Sequence, residues 1–367
     1  MITINAPQIG REEIDAAIKV LKSGILTSGL GAGPKVTEFE NAYAKFVRTK
    51  HAVAMNSGTA ALHSALAAVY VRNGDEVILP SFTFVATAEV VIFNRARPVF
   101  VDIDPETYTV SPRSVEMAVT KKTKAIMPVD LYGMPADVKP IREIADKHGL
   151  KIVEDAAQAH GAVYKGKPAG AFADVACWSF YGSKNMTTGE GGMLTTNSAE
   201  IAEIPRYIRS HGEKIKYQSL MLGHNYHMPE IAAAIGVEQL KKLPEFVAKR
   251  RRNAKRLSEN LAKAKNLQLP KEPEGSKCCY YLYTVRLKNA KRQKRDRIVG
   301  ELKQKGIDAF VCYVNPIHIM PYYHRFGKHG LPETEKASAQ VFSLPVHPGV
   351  TTEQIDFISD TLLELLK

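Results

Sequence analysis

No stretch of this sequence approaches the roughly 20 apolar residues that a membrane-spanning helix needs, so no membrane span is expected. The opening MITINAPQIGREE has neither an apolar signal core nor an arginine-rich transit pattern, and the expected location is the cytoplasm. Cysteine is scarce. Cys177, Cys278, Cys279 and Cys312 form no CxxC pair, which argues against a zinc ribbon or a disulfide scaffold and for reduced thiols. Metal ligands are thin as well. His224 and His227 lack a third ligand at suitable spacing, and Asp102 and Asp104 sit in DIDPE, without the glycine of a calcium loop, so no metal is expected. SGLGAGPK is glycine-rich but is no P-loop and follows no clear strand, which leaves it as a loop before a helix. There is no internal repeat and no low-complexity tract.

What is present is ordinary for a globular protein: 45% hydrophobic and 24% charged residues in a chain of 367, long enough for two domains. The formal net charge of +12 raises nucleic acid as a partner. Much of that charge is local, with six basic residues in KRRRNAKR, from Lys249 to Arg256, and seven in RLKNAKRQKRDR, from Arg286 to Arg297. In the first run the basic positions continue right round an expected helix, as on a solvated face. With no helix-turn-helix, zinc-finger or RNA-binding signature beside them, a solvated face that attracts small anions is expected, and a nucleic-acid partner is not.

The first half of the chain alternates strand-like apolar runs (HAVAMN, EVILP, PVFVD, KAIMPV, KIVED) with helical patterns (GTAALHSALAAVYVR, FVATAEVVIFN, SPRSVEMAVT, DVKPIREIADKHG). Two further strand-like runs, ADVACWSF and GGMLTTN, follow. Strands apolar throughout and separated by helices imply an α/β protein with a mostly parallel sheet covered on both faces. After residue 198 long helices take over, PEIAAAIGVEQLKKL and EFVAKRRRNAKRLSENLAKA among them. Then come CYYLYTVRL as a strand, a basic helix, DAFVCYV as a strand and a closing helix. This pattern suggests a large α/β domain over residues 1–240 and a small α+β domain over 241–367, with PKEPEGSK as a loop.

In open α/β sheets ligands sit at the carboxyl ends of the strands, so the residues there carry the functional argument. Ser57, Gly58 and Thr59 open a helix after HAVAMN and can offer N–H groups and the helix dipole to a phosphate, although an ordinary helix cap needs the same residues. Asp155 ends KIVED, with Gln158 three residues on; a buried acid there needs a partner, and a structural ion pair would serve equally. Ser179 ends the next strand, and Lys184 follows among small residues and glycines in SFYGSKNMTTGEGGML. A lysine so confined is either a turn residue facing solvent or an amine held ready to attack a carbonyl. Together, a phosphate cup, a carboxylate for a pyridine nitrogen and an amine for an imine are the requirements of pyridoxal phosphate. Phe82 and Phe84, after EVILP, supply an aromatic side chain to stack on its ring.

NSGTAALHSAL, GDEVILPSFTFVATAEVV, VFVDIDPETYTV, VEDAAQAHGA, SFYGSKNMTTGEGGML, GHNYHMPEIAAAIGVEQL, GIDAFVCYVNPIH and SLPVHPGVT, in this order, resemble the DegT/DnrJ/EryC1/StrS sugar aminotransferases over nearly the whole chain. The resemblance implies the fold-type I architecture of pyridoxal phosphate enzymes, with a seven-stranded central sheet. It further implies a homodimer with shared active sites and transfer of an amino group from an amino acid, L-glutamate, to a keto group of a nucleotide-linked sugar. Carried onto this sequence, it makes Lys184 the lysine that binds the cofactor and Asp155 the partner of the pyridine nitrogen. It brings Gln158 to the ring hydroxyl, Phe84 onto the ring, and Ser57, Gly58, Thr59 and Ser179 around the phosphate. Asn225 would reach the phosphate of the neighbouring subunit, and His318, in NPIH, would lie near the sugar. The chain departs from the family pattern at Asp130, Gly182 and His227, where histidine, proline and arginine are common; Asp130 and His227 are expected to bear on the sugar pocket or the dimer contact. Lysine at 184 disfavours the branch that carries histidine there and dehydrates sugars, which stays as an alternative beside a non-catalytic regulator.

Overall fold

The computed structural model describes residues 1–327 and 330–367. Seven strands build the central sheet: β1 (His51–Met55), β2 (Glu76–Pro80), β3 (Arg97–Val101), β4 (Thr123–Ile126), β5 (Lys151–Asp155), β6 (Val175–Ser179) and β7 (Gly192–Thr196). Their order is β1-β7-β6-β5-β4-β2-β3, and β7 alone runs antiparallel to its neighbours. The mostly parallel sheet expected from the sequence is present.

Alternation within the strands explains why they read as apolar throughout. Val53, Met55, Cys177 and Leu194 pack into one core, while Ala52, Ala54, Ala176, Trp178 and Met193 point into another on the opposite face. The first core is covered by α3 (Gly58–Ala68), α4 (Ala86–Phe93) and α7 (Ala199–Ile208). The second is covered by α2 (Pro34–Val47) and by α8 (Glu230–Leu261), while α1 (Arg11–Ser23) lies against α8. Helices α5 (Pro112–Ala118) and α6 (Val138–His148) close a third core around Ile78, Ile126 and Ile152. Among the described residues no helix is long and apolar enough to cross a membrane.

Three expectations need correction. First, the two helices expected on either side of Pro244 are one helix, α8, of 32 residues. The proline removes one backbone donor, but Leu240 and Leu243 before it and Phe246 after it are all buried, and that packing holds the helix in one piece. Residue 240 thus lies inside α8, whose core contacts change further on, from Leu240 and Leu243 beneath the sheet to Ala254, Leu257 and Leu261 around the C-terminal strands. Second, DAFVCYV is not a strand. Only Phe310 pairs, in a single bridge to Ser343, because Cys312 gives its carbonyl to the Tyr132 hydroxyl instead of to a ladder. The C-terminal sheet consists of β8 (Leu267–Gln268), β9 (Tyr283–Leu287) and β10 (Val341–Leu344), all antiparallel. Third, the basic runs are not wholly solvated. Arg250 is buried and donates to the carbonyls of Tyr280 and Tyr281 at 3.2 and 3.1 Å, and Arg295 is buried and donates to those of Ser338 and Val341 at 3.0 and 2.7 Å.

Candidate active site

The carboxyl ends of β1, β2, β4, β5 and β6 meet at one edge of the sheet, and most of the residues singled out in the sequence lie there. Asp155, the last residue of β5, is 5% exposed. Its Oδ2 accepts from the Thr87 hydroxyl at 2.9 Å and its Oδ1 from the Ala157 N–H at 3.2 Å. Burial raises its pKa, and those two donors together with the positive charge of Lys184 pull it back towards the ionised form. Lys184 sits in a turn closed by its own N–H donating to the Tyr181 carbonyl at 2.9 Å. Its Nζ lies 4.5 Å from the centroid of the Tyr281 ring, and the Tyr281 hydroxyl is 2.8 Å from Ser183 Oγ.

The residues expected to hold a phosphate lie where α3 begins. Ser57 caps the helix, its Oγ accepting from the Ala60 N–H at 3.1 Å, while the N–H groups of Gly58 and Thr59 fall in the first turn, where no intrahelical acceptor exists. The two glycines beside it are sterically required. A Cβ on Gly58 would stand 2.9 Å from Ser179 Cβ, and one on Gly192 would stand 2.2 Å from the Ser57 carbonyl oxygen. Backbone donors, a helix amino terminus and hydroxyls packed this closely suit a phosphate group, and a carboxylate and an amine near by suit a pyridine nitrogen and an aldehyde carbon. The residues present therefore fit pyridoxal phosphate.

Gln158 is buried with both ends engaged: Oε1 accepts from the Tyr132 N–H at 2.7 Å and Nε2 donates to the Tyr313 hydroxyl at 3.2 Å. Phe84 stands at the rim, 56% exposed, its ring centroid 6.3 Å from that of Tyr313. Asn225 is exposed, and its carbonyl accepts from Asn56, next to the cup, at 3.3 Å. His318 packs against Ser81, which directly follows β2. It is buried, with Nδ1 2.7 Å from Ser81 Oγ and Nε2 3.4 Å from Glu335 Oε1, so protein groups occupy both ring nitrogens.

Sequence reasoning missed four contributors. Thr87 lies one helical turn beyond Thr83 in TFVAT, a spacing that could have suggested it. Tyr281 and Tyr313 come from the C-terminal third and reach the site only through the fold. His160 is fully buried behind Ser179, with Nε2 2.7 Å from the Ser179 carbonyl and Nδ1 2.7 Å from the Tyr43 hydroxyl. The three departures are also located. Asp130 has no exposed surface. Gly182 has open space around it and no positive φ. His227 lies near Arg209, with its Nε2 buried and unpartnered.

Sheet order, cup, acid and amine together define a pyridoxal phosphate enzyme, and pyridoxal phosphate is the cofactor. The chain belongs to the DegT/DnrJ/EryC1/StrS aminotransferase family, which its sequence matches over residues 7–363. It is 38% identical over 368 residues to the GDP-perosamine synthase of Caulobacter vibrioides, covering 100% of this chain and 98% of that protein. It is 40% identical to the UDP-2-acetamido-2-deoxy-3-oxo-D-glucuronate aminotransferase of Pseudomonas aeruginosa, over 96% of both chains. The fold superimposes on Spr1654 from Streptococcus pneumoniae in its PLP form with a TM-score of 0.94 and 29% identity, covering 100% of this chain and 98% of that one.

Proposed function

We propose that this protein is a nucleotide-sugar aminotransferase that moves an amino group from an amino acid, L-glutamate, to a keto group on a nucleotide-linked sugar. The observation that carries the reading is the meeting of Lys184, Asp155 and the opening of α3 at one sheet edge. The relatives that act on GDP- and UDP-linked sugars support the substrate class.

When bound, pyridoxal phosphate supplies an aldehyde carbon for amine exchange and a ring that takes up the electron pair of a broken C–H bond. Ser57, Gly58, Thr59 and Ser179 would hold the phosphate, with Asn225 of a second subunit. Asp155, whose ionised form the Thr87 and Ala157 donors favour against its burial, would keep a proton on the pyridine nitrogen. Phe84 would cover one ring face, and Gln158, oriented by Tyr132 and Tyr313, would meet the ring hydroxyl. Lys184 would hold the cofactor through its Nζ and, as a free amine, would take up and return the proton of the substrate carbon. Ile14, Ile18 and Leu21 on α1 are exposed, as are Phe84 and Tyr181 at the rim of the site, which supports a homodimer that covers them.

The test is a product screen. Protein, glutamate and a panel of GDP-, UDP- and dTDP-linked 3- and 4-ketosugars are incubated, and mass spectrometry follows amino sugar and 2-oxoglutarate. Borohydride should fix the cofactor on Lys184, and Lys184→Ala should neither trap it nor turn over. Amination by Lys184→Ala, or dehydration of a sugar without amination, defeats the proposal.

A further inference from the structure

Immediately behind Asp155 lie two carboxyl groups that the chemistry above does not use. Glu154 is 1% exposed and Asp130, in the turn after β4, is 0% exposed. One oxygen of each accepts a backbone N–H: Glu154 Oε1 from Gly170 and Asp130 Oδ1 from Ala136, both at 2.8 Å. The other oxygens, Asp130 Oδ2 and Glu154 Oε2, are buried without a donor, and the two side chains are within bonding reach of each other. The groups acting most strongly on the pair are carboxyls and N–H groups, not cations. The nearby titratable groups are Asp155 and the Cys279 thiol, coupled electrostatically to Asp130, and the Cys177 thiol, coupled to Glu154. Two ionised carboxylates in contact in a dry interior repel strongly, whereas one proton between them removes the repulsion and occupies both orphaned oxygens.

We propose that Asp130 and Glu154 share one proton at neutral pH, Asp130 donating to Glu154, and that this bond is a clip positioning Asp155 and Gln158. The clip ties the turn after β4 to β5. The Asp130 N–H donates to the Asp155 carbonyl at 3.0 Å, and the Asp155 N–H donates to the Pro128 carbonyl at 2.9 Å. Two residues beyond Asp130, the Tyr132 N–H holds Gln158 Oε1, from a backbone kept at φ 61°, a left-handed conformation costly for tyrosine. Burial and the charge of Glu154 both push the Asp130 carboxyl well above the ordinary range. The role of Asp155 and Gln158 at the cofactor rests on the proposed function; the shared proton does not.

The experiment uses the cofactor-loaded protein without substrate. At about pH 8, some four units above an ordinary aspartate, infrared spectra should show the carbonyl band of a protonated carboxylic acid, and Asp130→Asn should lack it. Should Asp130→Asn not fold, Glu154→Gln serves as the second variant, because it removes the carboxylate that accepts the shared proton, so the band should be lost or shifted. Urea unfolding gives the second readout. The folded pair keeps a proton that the unfolded chain releases, so its stabilising effect is full below the unfolded aspartate pKa and is lost as pH rises. Relative to Asp130→Asn, the wild-type unfolding constant should therefore grow by up to about tenfold per pH unit between about pH 5 and 8. For the positioning role, Asp130→Ala should weaken cofactor binding, and Asp130→Asn, which can accept from Ala136 and donate to Glu154, should restore it. Absence of the band in wild type, its survival in both variants, or parallel pH slopes overturns the shared proton. Failure of Asp130→Asn to rescue Asp130→Ala overturns the clip. Each readout stands whether or not any sugar is aminated.

Discussion

His160 offers the most quantitative test of how the site is supported. It is fully buried between Tyr43 and Ser179, and burial lowers its pKa from 6.5 to about 4. Because the Ser179 carbonyl can only accept, Nε2 carries the ring proton and Nδ1 accepts from the Tyr43 hydroxyl. A group with a depressed folded pKa binds fewer protons folded than unfolded in the intervening window, so its stabilising effect is full above pH 6.5 and lost as pH falls through 4. A fall of about 2.5 in pKa, at about 1.4 kcal/mol for each, removes about 3 kcal/mol between pH 7 and pH 4. In His160→Phe the ring volume stays, but the Tyr43 hydroxyl and the Ser179 carbonyl lose their partner, at about 1–3 kcal/mol each. The variant should be the weaker protein at pH 7, and the gap should close by about 3 kcal/mol on acidification to pH 4. Urea unfolding followed by circular dichroism at a series of pH values measures both quantities. A gap that stays constant across that range refutes a neutral, buried His160.

Thr87→Val removes a hydroxyl that keeps Asp155 ionised, so the acid limb of the activity profile should move to higher pH, while Thr87→Ser should leave it in place. Gly192→Ala would press a methyl group to 2.2 Å from the Ser57 carbonyl; thermal unfolding should report a loss of about 1–3 kcal/mol, and cofactor titration a weaker complex. Light scattering should give twice the 40.5 kDa chain mass, and Leu21→Glu, on the exposed apolar face of α1, should shift the protein towards monomer.

The central sheet was legible because its strands are largely buried on both faces, a condition written locally as a mostly apolar run. Asp155 and Ser179 stood out for a related reason: they end two of those runs, where polar groups are conspicuous, and Lys184 stood out as the one lysine in the small-residue loop five positions further on. The C-terminal third was less readable. DAFVCYV has the composition of a strand, yet its backbone is claimed by Tyr132, a residue 180 positions away in sequence. Pro244 reads as a break, but packing on both sides overrides the local preference. Tyr281, Tyr313 and His160 carry no local mark, since each owes its role to a partner far along the chain. Asp130 stood out in the sequence as a departure, but only its burial beside Glu154 turns it inward, away from any surface.

Strand β1 hydrogen-bonds to β7 and to no other strand of the sheet. On the ribosome, residues 51–55 emerge early and must wait for residues 192–196 before they gain a ladder partner. That same insertion seats Gly192 against Ser57 and pins the far end of the segment that carries Lys184. The phosphate cup and the lysine turn are thus completed in one late event, so a nascent chain shorter than this strand has no finished place for the cofactor.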